Sequence, residues 1–239
     1  MRPIDKGDSP INGDFEKYQD AHPYLIQRLG NYCSYCERRL EVGLAVEHIC
    51  PKITNKIIEK KWSNFLLACV QCNSTKGDTD ISPENKNHYV WPDEDDTYHM
   101  IDYPEADAYK AVPANNLDAA TRQRVQNTID LVDVNHTTDE YAQTTYKDKL
   151  AKRQEVASEC KRQLNTYINA KAMHDSRGSL KGQTDLINKI ESNYEQITTG
   201  IISAAKEFGC WSVWMRTFEG IPEIKERLLD YWGTNKKYF

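Results

Sequence analysis

The spacing of apolar residues changes near residue 113 and divides the chain into two parts. Before that point, apolar residues occur in short runs such as 44–49 and 65–68, separated by polar segments. After Pro113 they recur every three or four positions over long stretches, which is the period of an amphipathic helix. The pattern predicts short strands and loops in the first part and long helices in the second.

In the first part, a short helix is predicted over 24–29, ended by Gly30. Residues 38–41 and 44–49 are predicted to pair as a hairpin around Val42-Gly43. The lysine-rich residues 50–64 lack periodicity and suit an irregular loop. The apolar run 65–68 suits a strand, and a helix beginning near Cys69 would end about Gly77. The predicted order is strand, loop, strand, helix.

In the second part, the apolar stripes predict four helices. The first carries Leu117 to Val132 and stops near Asn135, and the second starts at 138–140 and carries a stripe from Tyr146 to Ile168. The third runs from about Leu186 to Phe208 and is ended by Gly209, and the last covers about 222–232. Narrow stripes on the second and third favour an antiparallel helical hairpin. We therefore expect an α+β protein with an N-terminal domain (1–112) and a mainly helical region (113–239).

The charge balance argues against general attraction to nucleic acid, because the 239-residue chain has a net charge of -5. A local basic patch is present in residues 31–76, where seven basic residues against four acidic ones give +3. The basic residues of this patch are Arg38, Arg39, Lys52, Lys56, Lys60, Lys61 and Lys76. Any nucleic-acid contact is expected to use this patch or a partner protein.

No apolar run approaches the roughly 18 residues of a membrane span, and residues 1–7 lack the apolar core of a signal peptide. We expect a cytoplasmic protein without membrane contact. In that compartment, seven cysteines indicate metal ligation or free thiols rather than disulfides.

Four of the cysteines form two Cys-x-x-Cys pairs, Cys33/Cys36 and Cys69/Cys72. Each pair supplies two thiolates at a separation that suits tetrahedral Zn²⁺. With all four positions filled, the predicted zinc is structural. The alternative is that these are unrelated buried thiols. The long spacer between the pairs is explained if a hairpin and a loop with a catalytic role are inserted there.

Glu47 and His48 lie in that spacer, at the end of the predicted strand. An imidazole accepts a proton from water near neutral pH, and a carboxylate binds a hard divalent ion such as Mg²⁺. Together they suit phosphodiester hydrolysis. Because strand neighbours point to opposite faces, we expect a twist or bulge where the strand ends.

Four further residues complete the candidate site. Asn73 offers a carbonyl oxygen to the same metal from the start of the helix, and the Asn64 amide is placed to hold the backbone near His48. Lys52 and Lys76 are candidates for contacts with phosphates. For Lys76, a solvated surface lysine is an equally simple interpretation.

These residues resemble the HNH endonuclease superfamily, whose fold is called ββα-metal. The resemblance rests on Cys33-x-x-Cys36, Glu47-His48-Ile49-x-Pro51, the segment 64–69 and Cys69-x-x-Cys72-Asn73-x-x-Lys76. It implies that His48 is the general base, that Glu47 and Asn73 bind one catalytic Mg²⁺ or Mn²⁺, and that Asn64 orients the site. The last motif position is Asn73 rather than His, as in many relatives.

A narrower resemblance involves residues 1–7, 32–37 and 231–234, which are similar to the HNH subunit of Septu-type anti-phage defence systems, some of them attached to retrons. It implies an effector that works with an ABC-type or SMC-like ATPase. The helical region would then be a docking surface for that partner. The alternative is a scaffold that buries one face of the nuclease domain.

The sequence thus predicts a metal-dependent endonuclease with weak sequence specificity. DNA is the expected substrate, and structured RNA such as a tRNA is an alternative because the chemistry acts on the backbone phosphate. A rival hypothesis from another class is a non-catalytic zinc-binding module that mediates protein or nucleic-acid contacts.

Overall fold

The computed structural model describes residues 1–137, 148–231 and 233–239. It confirms a mixed architecture of helices and small antiparallel sheets, with a helical C-terminal region. The helices and strands in chain order are α1 (His22–Leu29), β1 (Leu44–His48), β2 (Phe65–Cys69), α2 (Val70–Lys76), α3 (Thr97–Met100), β3 (Ile101–Asp102), β4 (Val112–Pro113), α4 (Ala119–Leu131), α5 (Lys149–Ser176), α6 (Thr184–Phe208), α7 (Trp211–Thr217) and α8 (Pro222–Leu229).

The unit β1–β2–α2 has the predicted order of strand, loop, strand and helix. The strands are antiparallel, with Glu47 opposite Leu66 and His48 opposite Phe65. All five residues of β2 are buried, which explains its uninterrupted apolar sequence. The helix α2 follows directly, and the sulfur of its N-cap residue Cys69 accepts a hydrogen bond from the backbone N–H of Cys72 at 3.4 Å.

The predicted hairpin between 38–41 and 44–49 is wrong. The paired edge of β1 is taken by β2, whereas Arg39 bridges Tyr32 and Arg38 bridges Gly209. The physical reason is that β2 offers an uninterrupted apolar run to β1, whereas the charges of 38–41 have other partners: Arg38 contacts the Cys36 and Cys69 sulfurs, and Arg39 pairs with Glu41 and Glu207.

Buried apolar side chains form two clusters. The first surrounds the β1–β2 sheet and includes N-terminal residues together with Val125, Ile129 and Val132 of the α4 region. The second is built mainly from α5, α6, α7 and α8. The helix α4 therefore packs with the N-terminal core, and the domain boundary at 112/113 stays a prediction.

The predicted helical hairpin corresponds to α5 and α6, of 28 and 25 residues. They run antiparallel, because Lys152 lies over the Phe208 ring and Tyr167 packs against Tyr194. As predicted, α6 ends before Gly209. The predicted helix start at 138–140, Tyr146 and Trp232 lie outside the described residues. The helix α7 was not predicted, since five of its seven residues are buried and no apolar stripe marks it.

Among the described residues, the α5–α6 hairpin packs against other helices mainly at the end nearest α7. Toward the connecting turn, Ile168, Met173 and Leu186 are exposed. Within the described residues, none of the helices combines the length and the apolar character that crossing a bilayer requires.

Glu37 joins the two clusters. Its backbone carbonyl accepts from the Cys210 N–H at 2.9 Å, and its carboxylate accepts from the N–H and hydroxyl of Ser212 at 2.8 and 2.6 Å. Burial raises the pKa of Glu37, but the Met1 ammonium at 3.3 Å and Ser212 outweigh it and lower that pKa. The segment 209–212 thus supports residue 37 in the N-terminal part of the chain. The scaffold and docking interpretations of the helical region both stay predictions.

Gly209 gives a direct test of this junction. Its φ is +71°, and an added Cβ would lie 2.7 Å from both Arg39 N and Glu37 O. We expect Gly209→Ala to lower the free energy of unfolding by about 1–3 kcal/mol. Gly200 lies within α6, and nothing lies within 4 Å of an added Cβ. Gly200→Ala should therefore raise stability by about 0.5–1 kcal/mol. Urea denaturation measures both, and equal effects would contradict the close approach at Gly209.

Candidate metal centre and active site

The two Cys-x-x-Cys pairs meet in one buried cluster. The sulfur atoms of Cys33, Cys36, Cys69 and Cys72 all lie within 4.8 Å of one another, and none is in a disulfide. Four sulfurs around tetrahedral Zn²⁺ at about 2.3 Å are about 3.8 Å apart. The Cys36 and Cys69 sulfurs are 3.8 Å apart. The donor set and its spacing therefore fit a zinc ion with all four positions filled.

Backbone contacts bring the first pair to the second. The Ser34 N–H donates to the Leu67 carbonyl at 2.7 Å, and the Glu37 N–H closes the turn on the Cys33 carbonyl at 2.9 Å. The second pair spans the end of β2 and the first turn of α2. A zinc ion here would fasten residues 33–36 to the start of α2.

Arg38 lies against the sulfurs instead of on the surface. Its Nε is 3.4 Å from the Cys36 sulfur, and its Nη2 is 3.5 Å from the Cys69 sulfur and 2.9 Å from Gln71 Oε1. A guanidinium in this place offsets thiolate charge and orients the ligands. Its assignment to a surface basic patch is wrong, because the side chain is buried. The sequence feature that could have indicated this burial is the position of Arg38 two residues after a predicted zinc ligand, Cys36.

His48 is the last residue of β1, and its ring is held on two sides. The ring packs edge-on against Tyr18 and Phe65, and Nε2 lies 2.9 Å from the Glu59 carbonyl. A carbonyl only accepts, so Nε2 carries the proton and Nδ1 keeps its lone pair. Burial lowers the pKa of His48. The arrangement therefore favours a neutral imidazole whose Nδ1 is the basic nitrogen.

Glu47 and Lys76 form a buried ion pair beside His48. The Lys76 Nζ lies 2.9 Å from Glu47 Oε1 and donates to the His48 carbonyl at 2.7 Å. The two side chains are 4% and 1% exposed. Burial raises the pKa of Glu47, and the Lys76 charge opposes that rise. Within the described residues the Lys76 ammonium is the charged partner of Oε1, and no other hydrogen-bond donor reaches that oxygen.

Glu47, His48, Asn73, Lys76 and Lys52 line one cleft of about 110 Å³. The β1–β2 pairing is regular through His48, so no bulge is needed within these pairs. The two neighbours reach the same cleft because the strand ends at His48 and the cleft surrounds that end.

Asn73 and Glu47 supply two of the side-chain oxygens of the cleft, which Tyr18 and Asp78 also line. Asn73 is half-buried in α2, and its carboxamide makes no hydrogen bond in the part of the chain that the structure describes. The Asn73 amide oxygen and the Glu47 carboxylate, which is paired with Lys76, are the ligand types that a hard divalent cation such as Mg²⁺ or Mn²⁺ prefers. The identity of that ion stays a prediction.

Asn64 lies behind the cleft. Its Oδ1 accepts from the Cys50 N–H at 2.8 Å and its Nδ2 donates to the Cys50 carbonyl at 3.0 Å. These bonds fix the backbone two residues after His48, and Asn64 does not line the cleft itself. Its importance for catalysis stays a prediction.

The two candidate phosphate contacts differ. Lys52 lines the cleft, and its Nζ donates to the Tyr18 hydroxyl at 2.9 Å. The interpretation of Lys76 as a solvated surface lysine is wrong, since its ammonium is buried against Glu47. A phosphate contact by Lys76 stays a prediction and requires the ammonium to leave Glu47. Local sequence gave no signal for Tyr18, which comes from a distant segment.

We expect one zinc ion per chain by metal analysis. Cys72→Ser should lose it and unfold more readily, because metal binding contributes folding free energy. Cys160, a buried cysteine of the second cluster, provides the matched control, and Cys160→Ala should keep the zinc. Full zinc content in Cys72→Ser would contradict the four-cysteine site.

The ion pair predicts a second stability effect. Lys76→Met leaves the Glu47 carboxylate buried without its cation, so we expect a loss of about 3 kcal/mol in the free energy of unfolding. The double variant Glu47→Gln/Lys76→Met removes both charges and should be less destabilised than the two single variants summed. Strict additivity in urea denaturation would show that the two groups do not interact.

A comparison with protein families finds one match to this region: a model of the HNH endonuclease family matches residues 33–79. That range contains the four cysteines of the buried cluster, both strands of the β1–β2 sheet and α2. It also contains Glu47, His48 and Asn73. A comparison with curated proteins finds no match. The segment that forms both the cysteine cluster and the cleft is thus the segment that matches the HNH endonuclease family.

Proposed function

We propose that this protein is a metal-dependent endonuclease that hydrolyses phosphodiester bonds of DNA. One observation carries the proposal: a base with a defined tautomer, His48, shares a cleft with the oxygen donors Glu47 and Asn73. The match of residues 33–79 to the HNH endonuclease family supports the same activity.

In the proposed reaction, a water molecule between His48 and the scissile phosphate gives its proton to Nδ1. The water oxygen forms a bond to phosphorus while the bond to the leaving oxygen breaks. The Glu59 carbonyl holds the Nε2 proton and so stabilises the imidazolium that results. Tyr18 and Phe65 restrict the ring to the orientation in which Nδ1 faces the cleft.

Glu47 and Asn73 are the residues that would hold the catalytic cation. When bound, a divalent ion stabilises negative charge on the phosphate and on the leaving oxygen. Lys76 offsets the charge of Glu47 and holds the His48 carbonyl, so it fixes the end of β1 from the α2 side. Burial of these groups excludes water from one side of the site.

We also propose that the protein is the effector of an anti-phage defence complex that contains an ABC-type or SMC-like ATPase. The resemblance of residues 1–7, 32–37 and 231–234 to Septu-type subunits supports this role. The exposed end of the α5–α6 hairpin offers surface for such a partner. In this proposal the ATPase selects the target, and the cleft cuts with little sequence preference.

The test is a cleavage assay with Mg²⁺ or Mn²⁺ on plasmid DNA and on structured RNA, with and without any ATPase encoded beside this gene. His48→Ala should reduce DNA cleavage by about 10²–10⁴-fold and keep its zinc. His99→Ala, which alters a histidine that is 49% exposed, should cut like the unaltered protein.

Full activity of a folded His48→Ala protein would contradict the mechanism. Cleavage of RNA but not DNA would show that the substrate assignment is wrong. Absence of cleavage in every condition would favour the non-catalytic binding module.

A further inference from the structure

The loop between β1 and β2 exposes two large aliphatic side chains. In residues 50–64, hereafter the lysine loop, Ile53 is 60% and Ile57 is 87% exposed. The two lie four positions apart and close to the cleft, whose wall includes Lys52. Within the described residues neither side chain is covered, so the two exposed isoleucines of this short loop are a candidate binding surface.

The charge of the lysine loop identifies the kind of partner. It contains Lys52, Lys56, Lys60 and Lys61 against the single acid Glu59, a net charge of +3 in a chain of net charge -5. With Arg38 and Lys76 buried and Arg39 paired to Glu41 and Glu207, this loop carries what remains of the basic patch. Phosphates are the complementary partner.

The loop backbone is held in place. The Asn55 Nδ2 donates to the Pro51 and Ile81 carbonyls at 3.1 and 2.9 Å, and the Asn64 Nδ2 donates to the Ile58 carbonyl at 3.3 Å. The Glu59 carbonyl is the group that orients His48. The isoleucines are therefore presented by a fixed backbone that is directly connected to the general base.

Aliphatic side chains flanked by lysines suit duplex DNA. Proteins that bind the minor groove insert such wedges between base pairs and bend the duplex, while basic residues contact the phosphates. Recognition of single-stranded nucleic acid instead uses exposed aromatic rings, and both aromatic residues of 50–65, Trp62 and Phe65, are buried.

We propose that Ile53 and Ile57 form a wedge that inserts between base pairs of duplex DNA, with Lys60 and Lys61 on the adjacent phosphates. The wedge bends the duplex and brings a backbone phosphate to the cleft beside His48. This assignment rests on the proposed nuclease function and adds to it the part of the chain that contacts the bases.

Binding is measured in the His48→Ala protein at low salt, by anisotropy of a fluorescein-labelled DNA duplex. Ile53→Ser/Ile57→Ser should bind at least about tenfold more weakly with an unchanged salt dependence. Lys60→Ala/Lys61→Ala should instead lower the slope of log K against log salt by about 2. Ile53→Leu/Ile57→Leu, which keeps the apolar character, should restore binding.

Val42→Ser is the matched control, because Val42 is an aliphatic residue that is 83% exposed outside the lysine loop; its affinity should not change. A duplex that contains 2-aminopurine reports unstacking directly. Its fluorescence should rise on binding to the His48→Ala protein and not on binding to the serine variant. Thermal unfolding of each variant should match that of the His48→Ala protein, since the side chains altered in addition to His48 are at the surface or half-buried.

Equal affinity of the serine and unaltered loops, or no rise in 2-aminopurine fluorescence, would overturn the wedge. Tighter, isoleucine-dependent binding of RNA, or no DNA binding at all, would overturn it as well. These outcomes are separable from failure of the nuclease function, which is judged by His48-dependent cleavage in a protein with an intact lysine loop.

Discussion

The confinement of four sulfur atoms within 4.8 Å is the constraint on which the rest of the N-terminal part of the chain depends. Four ionised thiols in a buried site repel one another unless a cation lies among them. A zinc ion would relieve this repulsion and at the same time fasten residues 33–36 to the first turn of α2. Because α2 also carries Asn73 and Lys76, the position of the cluster sets the position of one wall of the cleft.

Buried charges around the cluster follow the same rule. Arg38 contacts the sulfurs, Lys76 contacts Glu47, and the Met1 ammonium contacts Glu37. The first two contacts place a cation against an anion away from water, where an unpaired charge would be costly. Burial lowers the pKa of the Met1 amine to about 5, and the neighbouring Glu37 carboxylate opposes that shift. Charged residues next to the cysteine pairs, such as Arg38 and Lys76, are therefore buried and neutralise other buried groups. Of the basic residues in 31–76, the lysines that are left for a ligand lie in residues 50–64.

Sequence was sufficient wherever the signal was local. The spacing of the cysteine pairs, the apolar run of β2 and the stripe of α6 each lie within one short segment, and the elements appear where the spacing places them. Prediction failed where the partner lies far along the chain. The strand β1 pairs with β2, whose residues lie about twenty positions later in the chain. Glu37 is hydrogen-bonded to Ser212, which is 175 positions away. The burial of Lys76 was missed for another reason, because a lysine next to a motif has the same local pattern whether it faces solvent or a carboxylate.

The bonds of Glu37 have a consequence for how such a domain evolves. Glu37 lies inside the segment that matches the HNH endonuclease family, whereas Ser212, Cys210 and Met1 lie outside it. A gene fusion that transferred residues 33–79 alone would separate the Glu37 carboxylate from Ser212 and Met1, its partners in this chain. In this lineage the segment 33–79 and its helical neighbour are expected to be inherited together, and substitutions at residue 37 should be matched by changes near residue 212.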